Sequence, residues 1–186
     1  VDDRPPRPDI LSHFWAPLCA VGANGPGGPN AQICVSVFGA SIVPERPRIL
    51  VCLSKTNYTT GLVRASGRFA VTVLSDRQLH LLEPLGLHSG RDRDKLAGLD
   101  VALTPTGEPW FPGGTGYLAC AVITTYDLGD MTAFLSAVRH RETFSSDPLA
   151  WRAAREVVGD DFLRRWQEKS LREQEAARRA MHWPYD

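Results

Sequence analysis

Short apolar runs, each ended by glycine, proline or a polar cluster, recur along most of the chain. We expect these runs to form strands, because each has strand length and is followed by turn residues. The predicted strands lie at 15–24, 30–38, 49–53, 69–74, 101–103, 116–125 and 132–138. Many short strands separated by turns favour a closed barrel over an open sheet. The pattern therefore predicts a mainly β protein with a few helices.

Helical spacing is confined to fewer segments. A short helix is expected after the polar cluster that follows the run 49–53, with Leu62 and Val63 as its apolar residues and Gly67 at its end. A second helical segment is expected at 77–87, where leucine recurs at every third position. Both segments are short, so their helices are expected to depend on packing against the sheet.

The end of the chain differs from the rest. Asp147 and Pro148 are typical of a helix start, because a capping residue precedes a proline at the first helical position. We expect one helix at 149–158, ended by Gly159, and a second from Asp160 to about residue 180. These helices predict a C-terminal helical extension at 146–186, separate from a barrel domain at 1–145.

The second C-terminal helix changes character along its length. Its apolar residues all lie in its first half and are Phe162, Leu163, Trp166 and Leu171. Opposite charges at i,i+4 spacing follow in the pairs Glu168–Arg172 and Glu175–Arg179. We therefore expect the first half to pack on the barrel or on a partner subunit, and the second half to form a solvated arm.

Composition narrows the classes of function. The 186 residues contain 21 Lys plus Arg and 21 Asp plus Glu, so the formal net charge is zero. Neither nucleic-acid binding nor membrane-surface binding is expected, because both favour an excess of clustered positive charge. No apolar run approaches the roughly 20 residues that a membrane span needs, and the polar, proline-rich start lacks the apolar core of a signal peptide. The expected location is the cytoplasm.

The four cysteines lie at Cys19, Cys34, Cys52 and Cys120. Each is part of an apolar run, and their spacing is unlike that of metal ligands. We expect reduced, buried thiols and no metal site.

The stretch 49–74 is the most informative part of the sequence. A strand-like run ends in the polar cluster Ser54, Lys55, Thr56, Asn57, Tyr58, Thr59 and Thr60. Because the first N–H groups of a helix are unpaired and its dipole favours negative charge there, such a cluster predicts a phosphate site. The alternative is an ordinary helix cap, formed by Thr56 or Asn57, with Lys55 solvated. Local features leave both hypotheses open.

Other segments fix the order of motifs around this stretch. In NAQICVSVF, Gln32, Cys34 and Ser36 fall on one face of the predicted strand, and the segment PERP then bends the chain. The later segments HSGRDRDKL and GDMTAFLSAV follow in sequence. In order and spacing, residues from about 17 to about 140 resemble the flavin reductase-like family. The resemblance implies a split β-barrel (FMN-binding), and the C-terminal helical extension lies outside the resemblance.

The resemblance also implies which residues bind the flavin. The residues expected at the flavin phosphate are Ser54, Lys55, Thr56, Asn57, Tyr58 and Thr59. Those expected along the isoalloxazine ring are Asn30, Gln32, Cys34 and Ser36, although Ser36 could equally satisfy local backbone groups. Ser89 and Lys95 are expected to close over the flavin, with Lys95 near the N1–O2 edge, where negative charge accumulates on reduction.

The implied activity is hydride transfer from NADH or NADPH to FMN or FAD. Many relatives of this type pass reduced flavin to a separate monooxygenase, and the family usually forms homodimers. Because the flavin carries out the chemistry, no catalytic triad is required. Two alternatives are a flavoenzyme that holds its flavin tightly and acts on an organic substrate, and a non-catalytic flavin-binding or interaction protein.

One departure from the family pattern bears on the nicotinamide side of the site. The family often has histidine after a Gly-Asp pair, and here Gly129 and Asp130 are followed by Met131. A thioether cannot donate a hydrogen bond or carry a proton. Asp130 and Met131 are thus expected beside the nicotinamide or substrate, with His88 or His13 as a possible substitute for the missing imidazole.

Overall fold

The computed structural model describes residues 10–15, 17–145 and 147–180, and in this part the chain forms one large antiparallel sheet with helices around it. The strands are β1 (Cys19–Ala23), β2 (Asn30–Cys34), β3 (Val37–Gly39), β4 (Arg48–Ser54), β5 (Arg68–Val73), β6 (Ala102–Leu103), β7 (Pro109–Trp110), β8 (Gly116–Asp127) and β9 (Met131–Thr143). The helices are α1 (Tyr58–Ser66), α2 (Leu82–Leu87), α3 (Trp151–Val157) and α4 (Asp160–Ala180). The order in the large sheet is β2-β1-β5-β8-β9-β4-β3.

The two edges of this sheet are continuous in sequence. The predicted strand 30–38 is in fact two strands, because a bend after Cys34 lets β2 pair with β1 while β3 pairs with β4. At the bend, the Cys52 amide donates to the carbonyl of Ser36 at 3.0 Å. The sheet consequently curls round until its edges meet, as a split barrel requires. The sheet has seven strands.

Alternation along the strands divides the apolar residues between two cores. Val21, Val51 and Phe134 point inward and are fully buried in a cluster that also includes Val63 of α1. Ala20 faces the other way, into a second cluster outside the sheet and beneath α2, α3 and α4. Full burial of a valine, leucine or phenylalanine side chain contributes about 1.5–3 kcal/mol to the free energy of folding. Because both clusters contain such side chains, both faces of the sheet stabilise the fold.

The local predictions for α1 and α2 are confirmed. Gly67 ends α1 in the left-handed conformation, with φ 66°, and its N–H donates to the carbonyl of Val63 at 2.8 Å. The predicted segment 77–87 forms a 3₁₀ helix, Asp76–Leu81, that continues into α2. The predicted strand 101–103 is shorter than expected and does not join the barrel. It pairs with β7 in a separate hairpin, whose buried Glu108 accepts hydrogen bonds from the hydroxyls of Thr104 and Thr106.

The first C-terminal helix starts later than its local signals predict. α3 begins at Trp151, because Leu149 is held in extended backbone by its N–H bond to Leu74 at 2.7 Å and by the Leu18 N–H bond to its own carbonyl at 2.8 Å. Gly159, with φ 79°, separates α3 from α4 as predicted. Leu149 and Phe162 are buried in the outer cluster, so both helices lie outside the barrel. No helix in the described ranges has both the length and the apolarity needed to cross a bilayer.

Candidate functional site

A cavity of about 420 Å³ lies between β2, the N terminus of α1, the loop 88–92 and α4. Many of the residues predicted from the sequence line it, although they come from three separate segments. They are Asn30, Gln32, Thr56, Asn57, Tyr58, Thr59, His88, Ser89 and Lys95. The fold therefore brings most of the predicted flavin-binding residues to one place.

The β2 wall of the cavity presents an unused hydrogen-bond acceptor. Asn30 and Thr59 are both buried, and the Asn30 amide donates to Thr59 Oγ1 at 2.6 Å, which ties β2 to α1. Gln32 is 7% exposed, and its Oε1 has no hydrogen-bond partner within the described part of the chain. A buried unpaired acceptor costs about 1–3 kcal/mol. A ligand N–H, such as that of a flavin ring, would satisfy it.

The N terminus of α1 has no side-chain cap. Asn57 occupies the capping position with extended backbone, but its side chain makes no capping hydrogen bond. The hydroxyl of Thr56 instead shares a 2.9 Å hydrogen bond with that of Ser54. The alternative of an ordinary capped helix therefore does not describe this site. The unpaired N–H groups and the helix dipole make it suited to an anion.

The loop 88–92 packs tightly against both of these walls. A Cβ on Gly90 would lie 2.4 Å from Asn30 Oδ1 and 2.7 Å from Tyr58 Cδ1, so only glycine fits this approach. Arg91 donates to the carbonyl of Thr56 at 2.9 Å, and its guanidinium lies 5.5 Å from the centre of the Tyr58 ring. Arg91 was not among the predicted residues. Its place in the charge-dense segment SGRDRDKL was the available signal.

Two titratable groups in the cavity have shifted pKa values. Lys95 is 6% exposed and donates to the carbonyl of Leu85 at 2.9 Å. Burial, with a smaller contribution from the ammonium group of Lys169, lowers the pKa of Lys95 to about 8. Burial and the nearby guanidinium of Arg93 lower the pKa of His88. At neutral pH the lysine remains a cation, while the imidazole is biased toward its neutral form.

Some predicted residues do not reach the cavity. Cys34 points into the inner core, where its thiol donates to the carbonyl of Cys52 at 3.7 Å. Ser36, two residues further on, accepts the backbone N–H of Cys52 with its carbonyl, at the bend where the two edges of the sheet meet. The predicted alternation holds within β2, where Cys34 shares the face of Gln32, but the bend after Cys34 ends it before Ser36.

The other predicted residues are not part of the cavity lining. Ser54 acts through its bond to Thr56, and Lys55 is turned outward by a 2.6 Å ion pair with Asp127. The hydrogen bond from Lys55 holds the pKa of Asp127 below its ordinary value. Asp130 accepts the backbone N–H of Lys55 at 2.9 Å, and half-buried Met131 pairs with Ser54 across the sheet. His13 lies outside the side chains that the structure describes.

α4 forms a wall of the cavity that the sequence analysis missed. Its second half was predicted to be a solvated arm, but one face of it lines the cavity. The lining residues of α4 are Trp166, Lys169, Arg172, Glu173 and Ala176. Their spacing continues the helical stripe begun by Phe162, and this continuation was the available signal. Arg172 does not pair with Glu168 as predicted, since Glu168 binds Arg164 at 2.8 Å.

The curled sheet and the anion-suited cavity at the start of α1 define a split-barrel flavin-binding protein. Residues 11–157 match the family described as Flavin reductase like domain, and the chain belongs to that family.

Named relatives agree with this assignment. The chain is 29% identical over 138 residues to the flavin-dependent monooxygenase reductase subunit HsaB of Mycobacterium tuberculosis, covering 74% of this chain and 71% of the relative. Nitrilotriacetate monooxygenase component B from Mycobacterium thermoresistibile has a similar structure, with a TM-score of 0.65 and 27% identity over 73% of each chain. The structure of the NADH:FAD oxidoreductase SgcE6 of Streptomyces globisporus, in complex with NAD and FAD fragments, is also similar. Its TM-score is 0.65 and its sequence identity is 26%, over 73% of this chain and 79% of that one.

Proposed function

We propose that this chain is a flavin reductase that binds FMN or FAD in the cavity and reduces it with NADH or NADPH. The observation that carries the proposal is the unpaired, buried Oε1 of Gln32 in the same cavity as the uncapped N terminus of α1. One wall thus offers an acceptor for a ring N–H, and another offers donors for a phosphate. A bound flavin supplies the hydride-accepting chemistry, and the protein supplies binding, orientation and electrostatics.

The roles of the protein groups follow from their positions. The first N–H groups of α1, with Thr56 and Asn57, bind the phosphate. Gln32 accepts from the ring. Lys95 adds a buried positive charge to the cavity, which favours the extra negative charge of the reduced ring.

The nicotinamide side of the site centres on His88 in this proposal. Of the residues predicted there, His88 lines the cavity, whereas Asp130 and Met131 lie beside the end of β4. An imidazole at the cavity can position a polar donor such as the nicotinamide carboxamide by a hydrogen bond. His88 therefore takes the role that the family pattern gives to the residue at position 131.

The proposed partner is a flavin-dependent monooxygenase that consumes the reduced flavin. Similarity to a monooxygenase reductase subunit supports this assignment. We propose a cytoplasmic homodimer with a barrel at 1–145 and a helical extension at 146–186. The exposed apolar side chains of Phe38, Ile42 and Val43, grouped at β3 and the residues after it, support a subunit contact there.

The test is the visible absorption spectrum of the purified protein, recorded before and after adding FMN and then NADH. A flavin reductase binds added FMN reversibly, and NADH then bleaches the flavin band with loss of NADH absorbance. Flavin that copurifies at full occupancy and is not bleached by NADH would favour a flavoenzyme acting on an organic substrate. No uptake of FMN or FAD would reject the flavin site and favour an interaction protein.

A further inference from the structure

α4 starts beyond the residues that match the family, yet it is fixed to the cavity by three contacts. Phe162 is buried in the outer core. Arg165 forms a 2.8 Å ion pair with Glu83. The Trp166 ring packs so closely on Gly86 that a Cβ there would lie 2.3 Å from the ring. These contacts hold the first half of α4 in one position. The residues that follow on the same face of the helix therefore line the cavity, and they are Lys169, Arg172, Glu173 and Ala176.

The stripe carries positive charge into the cavity. Lys169 is about three-quarters buried and is ion-paired with Glu173. Arg172 lines the cavity as well, and no ion pair to it occurs among the residues described. With Arg91 and Lys95, four cations and two carboxylates line the cavity, so its walls carry an excess of positive charge. An excess of this kind attracts a polyanionic ligand.

We propose that Arg172 and Lys169 of α4 bind the phosphate of the flavin, from a second wall of the cavity that the N terminus of α1 also faces. This inference rests on the proposed function and adds binding residues to the same site. A phosphate carries up to two charges and three strong acceptor oxygens, so charged side chains can bind it together with a helix terminus. A guanidinium donates two parallel hydrogen bonds to such a group, and an ammonium group adds a mobile point charge. Arg172 is the main phosphate contact, because the ammonium group of Lys169 is already ion-paired with the carboxylate of Glu173.

The experiment compares two double variants that lose the same charge from the same helix. K169Q/R172Q removes the two cavity-lining cations of α4, and R178Q/R179Q removes two exposed cations that pair with Glu175 instead. FMN and riboflavin, which lacks the phosphate, are titrated into each protein by flavin fluorescence. We expect K169Q/R172Q to weaken FMN binding at least tenfold, the size of a lost charged hydrogen bond. Riboflavin affinity should be unchanged, and R178Q/R179Q should match the wild type with both ligands.

Several results would overturn the proposal. Unchanged FMN affinity in K169Q/R172Q would exclude α4 as a phosphate contact. An equal loss of FMN and riboflavin affinity would assign the residues a structural role only. A raised KM for NADH with FMN affinity intact would assign them to the nicotinamide nucleotide instead. If wild-type protein bound riboflavin and FMN equally, the phosphate would have no site, although the flavin ring would; if it bound neither, the proposed function itself would fail.

A single conservative variant strengthens the distinction. R172K keeps the charge of Arg172 but loses the bidentate geometry, so its FMN affinity should fall between those of wild type and R172Q. Added salt should weaken FMN binding by the wild type more than by K169Q/R172Q, because screening acts on the charges that the variant lacks. Equal salt dependence in the two proteins would contradict a phosphate contact from α4.

Discussion

Gln32 and Gln78 are both buried glutamines, but their side chains are satisfied to different degrees. Gln78 donates to the carbonyls of Phe111 and Pro112 at 3.1 and 2.9 Å, while Oε1 of Gln32 has no partner among the described residues. Gln32→Met should therefore raise the free energy of unfolding of the flavin-free protein by about 1–2 kcal/mol and weaken flavin binding about threefold to tenfold. Denaturant unfolding and FMN titration measure the two effects.

Gln78→Met is the matched control for this change. It leaves two carbonyls without their donor, so it should destabilise the protein by about 1–3 kcal/mol and leave flavin affinity unaltered. Loss of stability in Gln32→Met would mean that its side-chain acceptor is satisfied without a ligand.

Lys95 makes the stability of the protein depend on pH. The folded chain releases the Lys95 proton near pH 8 and the unfolded chain near its ordinary pKa of 10.5. Between these values the unfolded chain binds more protons, so the contribution of Lys95 to stability rises with pH. Lys95→Met should stabilise the flavin-free protein by up to about 3 kcal/mol at pH 7, and the gain should shrink toward pH 10. Denaturant unfolding of both proteins across this range tests it, and a pH-independent difference would contradict it.

His88 and Met131 lead to opposite expectations for flavin reduction. Met131 does not line the cavity, so Met131→His should leave the rate of NADH-driven flavin reduction close to that of the wild type. His88→Ala should lower that rate or raise the KM for NADH while leaving FMN affinity within about twofold, because the proposed contact is made to the hydride donor. A faster Met131→His enzyme would restore position 131 to the site.

At the level of elements, the packing of α2 on α4 depends on one small residue. Gly86 is helical, so alanine suits its backbone, but the added methyl would overlap the rigid Trp166 ring. Gly86→Ala should lower stability by about 1–3 kcal/mol and weaken FMN binding by displacing α4, without any change in charge. Trp166→Phe added to Gly86→Ala should recover part of both losses. Alanine at Gly61, where a Cβ meets nothing within 4 Å, is the control.

Elements whose signals are local could be predicted from the sequence. β4, α1 and β5 were expected close to their observed bounds, because a buried run, a polar cluster and a terminal glycine each act within a few residues. Asp147 and Pro148 gave an equally good local signal, but the helix starts later, at Trp151, because the backbone at 149 is held by distant partners at Leu18 and Leu74.

The candidate site was predictable to a similar extent. The residues from 54 to 59 and from 88 to 95 carry family motifs, and most of those predicted line the cavity. The α4 wall was not predictable, because Arg172 had an acceptable partner at i−4 in Glu168. The contacts of Phe162, Arg165 and Trp166 with the rest of the fold fix which face of the helix turns inward.

At the level of the whole molecule, the proposed dimer has a direct test. Ile42 is 100% exposed and lies next to exposed Val43 and near Phe38. Light scattering of the wild type should give twice the 20.5 kDa chain mass, and I42E/V43E should give the mass of one chain. Val157→Glu places a charge at an exposed apolar residue of α3 and should leave the mass unchanged. A dimeric I42E/V43E protein would move the interface elsewhere.

The buried thiols have a consequence for a protein that works with reduced flavin in air. Free reduced flavin reacts with oxygen to give hydrogen peroxide, which attacks accessible thiolates. Burial raises the pKa of Cys34 and of Cys120 to about 12 and raises that of Cys19 as well. Half-buried Cys52 is shifted in the same direction. All four thiols therefore stay protonated at physiological pH, so the peroxide formed from reduced flavin should leave the cysteines of the barrel unoxidised through many turnovers.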